Sequence, residues 1–335
     1  MKRKLSVYQT GWPLKIPFRI TGKTFQKIDP IVVEIGSGDV VGRGEGVGVY
    51  YLDETAESMR AEVEAIRAEV EDGLSRVELL DRMPAGGARN AVDCALWDLE
   101  ARLGQTTVAE IAGISPAPVR TVWTISIERE PDMMAAKARV ARDFPVLKVK
   151  LDGDRPIERL EAIRRARPDA DLIVDANQGF SPELLAQVLP EFAVLGVSML
   201  EQPLPRGADQ SLANIKSPVP ICADESCLHR GELEAALERY DMINIKLDKA
   251  GGLTEGLALA AAVRKAGKKV MVGNMMGTSL SMAPAWILAQ VCDLVDLDGP
   301  LYLCNDYLGG LRYDGPLVHP TNSSFWGAAE HAKVG

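Results

Sequence analysis

The chain has 335 residues, of which 47% are hydrophobic and 25% are charged, and its formal net charge is −9. It has no basic stripe and no basic tract interleaved with aromatic residues, so we expect no binding to nucleic acid or to an anionic membrane surface. No run approaches the roughly 20 apolar residues of a membrane-spanning helix. The five cysteines include no CxxC pair, which argues against a disulfide framework or a zinc site and favours a cytoplasmic location.

Residues 1–115 have the mixed pattern of an α+β domain. The predicted elements are a β-hairpin over residues 31–41 and helices over residues 54–71 and 88–103. The glycine-rich stretch 44–48 lacks the spacing and the βαβ context of a dinucleotide-binding turn. We therefore interpret this stretch as a hairpin or loop near the substrate.

From about residue 119 the chain alternates short apolar runs with helix-like segments, at a period of about 25 residues. The eight predicted strands are Val119–Ile125, Val146–Lys150, Leu172–Val174, Val197–Leu200, Val219–Ala223, Met242–Lys246, Lys269–Val272 and Leu294–Leu297. The helix-like segments between them include Pro156–Arg167, Ser181–Phe192, Gly231–Tyr240 and Leu253–Ala266. This pattern predicts an α/β fold, a modified TIM barrel of the (β/α)7β type over residues 116–304, with residues 1–115 as a capping domain. Residues 305–335 are expected to return to the cap as short strands or loops.

Three carboxylates follow consecutive predicted strands. Asp175, Glu201 and Asp224 each come directly after an apolar run. Adjacent parallel strands lie about 4.8 Å apart, so these side chains would converge on one cavity. Each residue alone could be a turn or helix-capping residue. Three anions this close repel one another unless a cation joins them, and oxygen ligands suit a hard ion such as Mg²⁺.

Lysines lie within two other predicted strands, on opposite sides of the barrel. Lys148 and Lys150 alternate with apolar residues and so share the interior face of the second strand, while Lys246 ends the sixth. A neutral lysine can remove a proton next to a carboxylate while a divalent metal stabilises the resulting charge. A second lysine on the opposite face can return a proton with inverted configuration, which is what a racemase or epimerase requires.

These strand ends resemble the muconate-lactonising-enzyme subgroup of the enolase superfamily. The motifs that carry the resemblance are Leu147-Lys148-Val149-Lys150, Asp175-Ala176-Asn177-Gln178-Gly179, Glu201-Gln202-Pro203, Ala223-Asp224-Glu225-Ser226 and the run from Asn244 to Gly252. The resemblance covers nearly the whole chain. It implies that Asp175, Glu201 and Asp224 bind Mg²⁺ and that Lys150 and Lys246 are the acid/base pair. It further implies that Lys148 contacts the substrate carboxylate.

Within the subgroup, Asp296-Leu297-Asp298 on the eighth strand resembles the Asp-x-Asp of dipeptide epimerases. There the pair holds the free ammonium of the substrate, although a polar strand end before Gly299-Pro300 is an alternative interpretation. Arg19 or Lys23 could pair with an acidic substrate side chain, and Lys23 lies nearest the position where L-Ala-D/L-Glu epimerases carry an arginine. The resemblance also implies a homo-oligomer acting on a small molecule.

The leading hypothesis is a dipeptide epimerase of the L-Ala-D/L-Glu type, working by 1,1-proton transfer through an enediolate. An N-acyl-amino-acid racemase, for instance for N-acetyl-glutamate, would use the same lysines and metal. A lyase or cycloisomerase of the o-succinylbenzoate synthase or muconate cycloisomerase kind would use the same scaffold without a cation clamp on the eighth strand.

Overall fold

The computed structural model of the chain describes residues 2–322 and 324–328, and its N-terminal part consists of antiparallel strands followed by helices. The strands are β1 (Lys4–Gln9), β2 (Trp12–Ile20), β3 (Lys23–Ile28), β4 (Ile31–Ser37) and β5 (Val40–Gly46). The helices are α1 (Ala56–Ala65), α2 (Arg67–Glu71), α3 (Arg76–Arg82), α4 (Gly87–Leu103) and α5 (Val108–Ile111), with a 3₁₀ turn at Tyr50–Leu52. β1, β4 and β5 form one antiparallel sheet, and β2 pairs with β3 as a separate hairpin. The hairpin predicted over residues 31–41 is confirmed as β4 and β5.

The helix predicted over residues 54–71 is divided into two in the structure. Helix α1 begins after Thr55, whose side chain accepts a hydrogen bond from the Ser58 N–H while the Ser58 hydroxyl accepts one from the Thr55 N–H. The backbone turns at Ile66, and α2 begins at the next residue. No glycine or proline marks this turn, so the hydrophobic pattern alone predicts one continuous helix.

Strand β5 carries three glycines on the face that meets helix α4. Gly42, Gly44 and Gly46 alternate along the strand and therefore point to one side. A Cβ atom on Gly44 would lie 2.2 Å from the carbonyl oxygen of Ala91, and Cβ atoms on the other two would be similarly close to α4. The helix backbone consequently lies directly on the strand backbone.

This contact makes Gly44→Ala a destabilising substitution. The added methyl group would meet helix backbone, which cannot move aside as a flexible side chain can, so we expect unfolding to become easier by about 3 kcal/mol or more. Gly36→Ala, in the same sheet, is the control, because its Cβ would have no neighbour closer than 3.8 Å. Urea denaturation monitored by circular dichroism measures both variants. Equal midpoints for the two would contradict the proposed close contact.

The C-terminal part is built on a sheet of eight parallel strands. After the short strand β6 (Val119–Arg120), these are β7 (Trp123–Ile125), β8 (Val146–Lys150), β9 (Asp171–Asp175), β10 (Val197–Glu201), β11 (Ile221–Ala223), β12 (Met242–Ile245), β13 (Lys269–Val272) and β14 (Leu294–Val295). Each strand from β7 to β14 pairs with the next along the chain. The N–H of Val122 donates to the carbonyl of Val295 and joins the two ends of the sheet. The predicted capped barrel is confirmed.

Helices connect most of the barrel strands. They are α6 (Pro131–Val140), α7 (Pro156–Ala166), α8 (Pro182–Val194), α9 (Leu233–Leu237), α10 (Leu247–Ala250), α11 (Leu253–Lys265) and α12 (Ser279–Ala289). Further 3₁₀ turns lie at Gln210–Asn214, Arg230–Glu232 and Gly299–Tyr302. The connection from β10 to β11 contains a 3₁₀ turn where the barrel pattern predicts a helix, and its first residues include Pro203 and Pro205, which have no N–H to donate within a helix. No helix in the described residues has the length and apolar character needed to cross a membrane.

The strand predicted over Val119–Ile125 serves two sheets. Its first residues form β6, which pairs antiparallel with β16 (Leu317–His319), and β16 pairs in turn with β15 (Arg312–Asp314). Further contacts link this C-terminal region to the cap: the Cys304 N–H donates to the Pro13 carbonyl and the Gly327 N–H to the Asp98 carboxylate. The end of the predicted segment 305–335, after residue 328, lies outside the described residues.

Inside the barrel, an apolar layer precedes the polar strand ends. Ile173, Met199, Cys222, Met242 and Met271 form a buried cluster, and Val122 closes it. Side chains two residues apart on a strand point the same way, so the next interior positions on β9 and β10 are Asp175 and Glu201. The strand period therefore directs the predicted site residues inward.

The hairpin β2–β3 lies over the carboxyl ends of the strands. Its apolar residues Phe18 and Ile20 pack with Met276 and Tyr302, which follow β13 and β14. A cavity of about 690 Å³ lies between this hairpin, the loop that follows β5, and the strand ends. Both domains thus contribute to the walls of one cavity.

Candidate active site

Three buried carboxylates meet at the carboxyl ends of β9, β10 and β11. Asp175 pairs in register with Glu201, and Asp224 directly follows β11. One oxygen from each of the three lies within 4.8 Å of the others. All three side chains are fully buried. The structure therefore brings together the three residues that the sequence pattern predicts as metal ligands.

The neighbouring charges affect these carboxylates differently. Burial raises the pKa of Asp175, but Lys150 and Lys148 outweigh it and hold the pKa at about 2. At Glu201, burial and the negative charge of Asp175 prevail and raise the pKa to about 7. Burial also disfavours the charged form of Asp224, but Lys246 and Lys249 lower its pKa well below the usual range. Asp175 and Asp224 are therefore ionised at neutral pH. A further cation bound beside them would favour the ionised form of Glu201 as well.

These residues fit a hard divalent cation. All three offer oxygen atoms, which are the ligands that Mg²⁺ prefers. The Glu201 Oε2 atom accepts no hydrogen bond of good geometry, although the Lys148 ammonium lies 2.8 Å from it. An oxygen with unused acceptor capacity, buried beside two other carboxylates, is available as a ligand.

Lys148 joins the carboxylates of three strands. Its Nζ atom lies 2.8 Å from Glu201 Oε2, 2.8 Å from Asp296 Oδ2 and 3.1 Å from Asp175 Oδ2. Burial lowers the pKa of this ammonium, but Asp296, Glu201 and Asp175 together raise it well above its usual value. Lys148 is therefore a fixed positive charge at the base of the cavity.

Lys150 and Lys246 stand on opposite walls. Strands β8 and β12, which lead to them, are four places apart in a ring of eight. The Lys150 ammonium donates to Asp175 Oδ2 at 2.5 Å and to Asn177 Oδ1 at 3.0 Å. The Lys246 ammonium donates to Asp224 Oδ2 at 2.6 Å. Burial lowers the pKa of Lys246, but the surrounding carboxylates, Asp224 first and then Glu201 and Glu225, together raise it above its usual value. Both lysines line the cavity.

A fourth lysine, which the sequence analysis did not single out, supports Asp224. Lys249 is fully buried, and its ammonium donates to Asp224 Oδ1 at 2.6 Å and to the Asn244 carbonyl at 3.0 Å. The strand pattern does not reveal this role, because Lys249 lies one turn after Lys246, on the short helix α10. Asn244 could have been found by strand parity, since it shares the interior face with Lys246 and donates to Glu201 Oε1 at 2.7 Å.

Two further polar residues complete the wall near Lys150. The Asn177 amide donates to Glu225 Oε1 at 3.3 Å while its oxygen accepts from Lys150. Burial, followed by the charges of Asp224 and Asp175, raises the pKa of Glu225 to about 8. Both residues lie within motifs quoted above, but nothing in their spacing indicates how they would be oriented.

Asp296 and Asp298 both reach the cavity, and each already has partners within the protein. Asp296 accepts from Lys148 at 2.8 Å. Asp298 accepts from the Thr124 N–H at 2.7 Å and from the Tyr302 hydroxyl at 3.2 Å. Burial and the charge of Asp296 raise the pKa of Asp298 to about 8, whereas Lys148 outweighs burial and lowers the pKa of Asp296.

The structure separates the two residues predicted to meet the substrate side chain. The Lys23 ammonium lies at the cavity, 4.4 Å from the ring centre of Tyr50 and 5.1 Å from that of Phe25. Arg19 is exposed and does not line the cavity. Its neighbours Phe18 and Ile20 on β2 face inward, so alternation turns the Arg19 side chain outward. The structure thus places Lys23, and not Arg19, at the cavity.

Solved structures and characterised proteins resemble the whole chain. A crystal structure of an enolase family member from Agrobacterium tumefaciens with homology to dipeptide epimerases, with sodium and L-Ala-L-Glu bound, superposes with a TM-score of 0.94. It is 43% identical, and the match covers 97% of this chain and all of that one. A dipeptide epimerase from Enterococcus faecalis, complexed with Mg and L-Leu-L-Tyr, has a TM-score of 0.89 at 29% identity, covering 96% of this chain and 98% of that one.

Two relatives differ in the substrate that their names indicate. The L-Ala-D/L-Glu epimerase of Escherichia coli is 43% identical over 95% of this chain and 99% of its own length. The N-acetyl-D-glutamate racemase of a Pseudoalteromonas species is 38% identical over 90% and 96%. Residues 2–113 match the mandelate racemase/muconate lactonizing enzyme N-terminal domain, and residues 133–300 match the enolase C-terminal domain-like family. With its capped barrel and its acidic triad, the chain belongs to the mandelate racemase/muconate lactonizing enzyme family of the enolase superfamily.

Proposed function

We propose that the protein is a Mg²⁺-dependent dipeptide epimerase of the L-Ala-D/L-Glu type, which inverts the α-carbon next to the terminal carboxylate. The observation that carries this proposal is the pair of lysines on opposite walls of one cavity. Each lysine is hydrogen-bonded to a different carboxylate of the triad, Lys150 to Asp175 and Lys246 to Asp224. A substrate bound between them would present one face of its α-carbon to each ammonium or amine.

Inversion follows from this placement. One lysine, as the amine, removes the α-proton from its face, and the other, as the ammonium, delivers a proton to the opposite face. In the reverse direction the two exchange roles. The carboxylate partners fix both side chains within the buried wall, so neither lysine needs to move far to reach the α-carbon.

Asp175, Glu201 and Asp224 would hold the Mg²⁺. When bound, this ion supplies positive charge beside the substrate carboxylate and stabilises the negative charge that develops as the α-proton leaves. Lys148 adds a fixed positive charge at the same end of the cavity, where its ammonium already lies within 3.1 Å of three carboxylates. We assign to it the contact with the substrate carboxylate.

The remaining contacts define the two ends of a dipeptide. Asp296 and Asp298 would receive the free ammonium of the first residue. Lys23, above the rings of Tyr50 and Phe25, would receive an acidic side chain of the second residue. The A. tumefaciens structure with L-Ala-L-Glu bound supports this assignment of substrate.

An N-acyl-amino-acid racemase is the second candidate, and a specific observation favours it. Asp296 is already paired with Lys148, and Asp298 accepts from Thr124 and Tyr302, so neither requires a ligand ammonium as a partner. The resemblance to an N-acetyl-D-glutamate racemase points the same way. The substrate would then be N-acetyl-glutamate, bound by the same lysines.

Proton exchange in D₂O distinguishes these functions. With Mg²⁺ present, we expect deuterium at the α-carbon of the second residue of L-Ala-L-Glu, followed by NMR signals of L-Ala-D-Glu. If deuterium entered N-acetyl-L-glutamate but not the dipeptide, the substrate would be an N-acyl amino acid and the dipeptide assignment would be wrong. Absence of exchange in both compounds would contradict both assignments.

A further inference from the structure

A buried carboxylate outside the cavity links the two domains close to Lys246. Asp248 lies two residues after this lysine, and only 3% of its surface is exposed. Its Oδ1 atom accepts hydrogen bonds from the Val47 N–H and from the Asn90 amide, both at 2.8 Å. Val47 and Asn90 belong to the cap, whereas Asp248 lies on the short helix α10 that follows β12 and Lys246. The contact therefore joins the cap to the strand that leads to a proposed catalytic lysine.

Val47 opens the cap loop, by which we mean residues 47–51. Val47, Gly48, Tyr50 and Tyr51 line the cavity. The Tyr50 ring lies beneath the Lys23 ammonium and meets the ring of Phe25 edge-on at 5.6 Å. The cap loop thus supports the surface that faces the end of the cavity assigned to the substrate side chain.

We propose that Asp248 is a positioning residue that holds the cap loop in register with Lys246. This inference rests on the proposed function. Asp248 fixes the distance between the cap loop and the strand ends. The cap loop region can then bind the side chain of the second substrate residue while the α-carbon of that residue lies between the two lysines. Loss of this contact would weaken recognition of a long side chain more than it would weaken proton transfer itself.

The other anchors of this region do not make the same connection. Glu54 accepts from the Val49 N–H at 2.7 Å, which ties the cap loop to the cap itself. Glu45, on the preceding strand, accepts from the N–H and hydroxyl of Thr278, the residue directly before α12. Asp248 connects the first residue of the cap loop to the turn that carries Lys246.

A matched control is provided by a second buried link between cap and barrel. Asp93, on α4, is fully buried and accepts from the Thr254 N–H at 3.0 Å and from its hydroxyl at 2.6 Å. The Asp93 link has the same chemistry as that of Asp248 but does not contact the cap loop. If loss of either link only loosened the contact between cap and barrel, Asp248→Ala and Asp93→Ala would change the activity in the same way.

The test compares two substrates that differ in the second side chain. L-Ala-L-Glu has an acidic side chain for the cap loop region to recognise, and L-Ala-L-Ala has a methyl group. In Asp248→Ala we expect the ratio of kcat/KM for α-proton exchange, L-Ala-L-Glu over L-Ala-L-Ala, to fall at least about tenfold, the effect of one lost contact. The loss should appear mainly in KM for L-Ala-L-Glu. Asp93→Ala should keep the wild-type ratio, and Asp248→Asn, which retains an acceptor for Val47, should stay near it.

An equal loss for both substrates, or an unchanged ratio, would overturn the role of Asp248. If Asp248→Ala does not fold, Asn90→Ala replaces it, since this change removes the second donor that orients the carboxylate, and an unchanged ratio there has the same meaning.

Measuring the exchange catalysed by the wild type first separates a failure of the proposed function from a failure of the role of Asp248. If the wild type exchanges N-acetyl amino acids alone, the ratio is taken for N-acetyl-L-glutamate over N-acetyl-L-alanine. Absence of exchange with all four compounds would refute the proposed function and, with it, this inference.

Discussion

Lys150→Met and Lys246→Met are each expected to lower the rate of epimerisation by about 10²- to 10⁴-fold, the usual contribution of a positioned acid or base. Methionine keeps the length of the side chain but cannot carry a proton. Epimerisation requires both faces of the α-carbon, whereas exchange of the α-proton with solvent requires one. Each variant should therefore retain deuterium incorporation from one epimer of the dipeptide and lose it from the other, and the two variants should retain opposite epimers.

NMR in D₂O, started separately from L-Ala-L-Glu and from L-Ala-D-Glu, measures this asymmetry. Lys137→Met serves as the control, because this partly buried lysine donates to Ser126 away from the triad. Melting curves of all three variants separate loss of chemistry from loss of fold. If a variant exchanged both epimers at wild-type rates, the lysine it replaces would not be a proton-transfer group.

Glu201→Gln is expected to reduce the affinity for a divalent cation by about 100-fold or more. Loss of a residue that only supports a metal ligand already costs about 10- to 100-fold in affinity, and Glu201 is assigned as a ligand itself. The amide is the same size as the carboxylate, so the hydrogen bond from Asn244 to Oε1 can persist. Epimerisation should fall with the affinity, and EDTA should abolish it in the wild type.

Titration calorimetry with Mn²⁺ provides a measurement that does not depend on turnover. Glu45→Gln is the matched control, since Glu45 is buried to the same extent but is bonded to Thr278 outside the triad. Wild-type Mn²⁺ affinity in Glu201→Gln, or an equal loss in Glu45→Gln, would contradict the assignment of Glu201 as a ligand.

The chemistry of the barrel could be predicted because it depends on the period of a strand. Each polar residue of the predicted triad comes at the end of an apolar run, and an interior position repeats every second residue. The same rule places the Arg19 side chain on the outer face of β2. Arg19 stands between Phe18 and Ile20, which face the cavity, so its own side chain cannot do so.

Other features depend on contacts between distant segments, which one sequence does not encode locally. The position of Lys249 next to Asp224 requires that the turn after β12 lie against the end of β11. The division of Val119–Ile125 into two strands requires a partner from residues 317–319. The break at Ile66 has no glycine or proline to mark it. For the divided strand, the residue types are compatible with one continuous strand, and the pairing with residues 317–319 decides otherwise.

The glycine face of β5 implies a constraint on how this chain can change over evolutionary time. Any side chain at residue 42, 44 or 46 would meet the backbone of α4, whereas the residues between them face the other way. In a library that samples every substitution, these three positions should be depleted of everything except glycine, whereas position 36 in the same sheet, where a Cβ has no neighbour closer than 3.8 Å, should accept alanine. Glycines at a spacing of two, next to an alanine-bearing helix, would then identify a strand lying directly on a helix in sequences whose structures have never been determined.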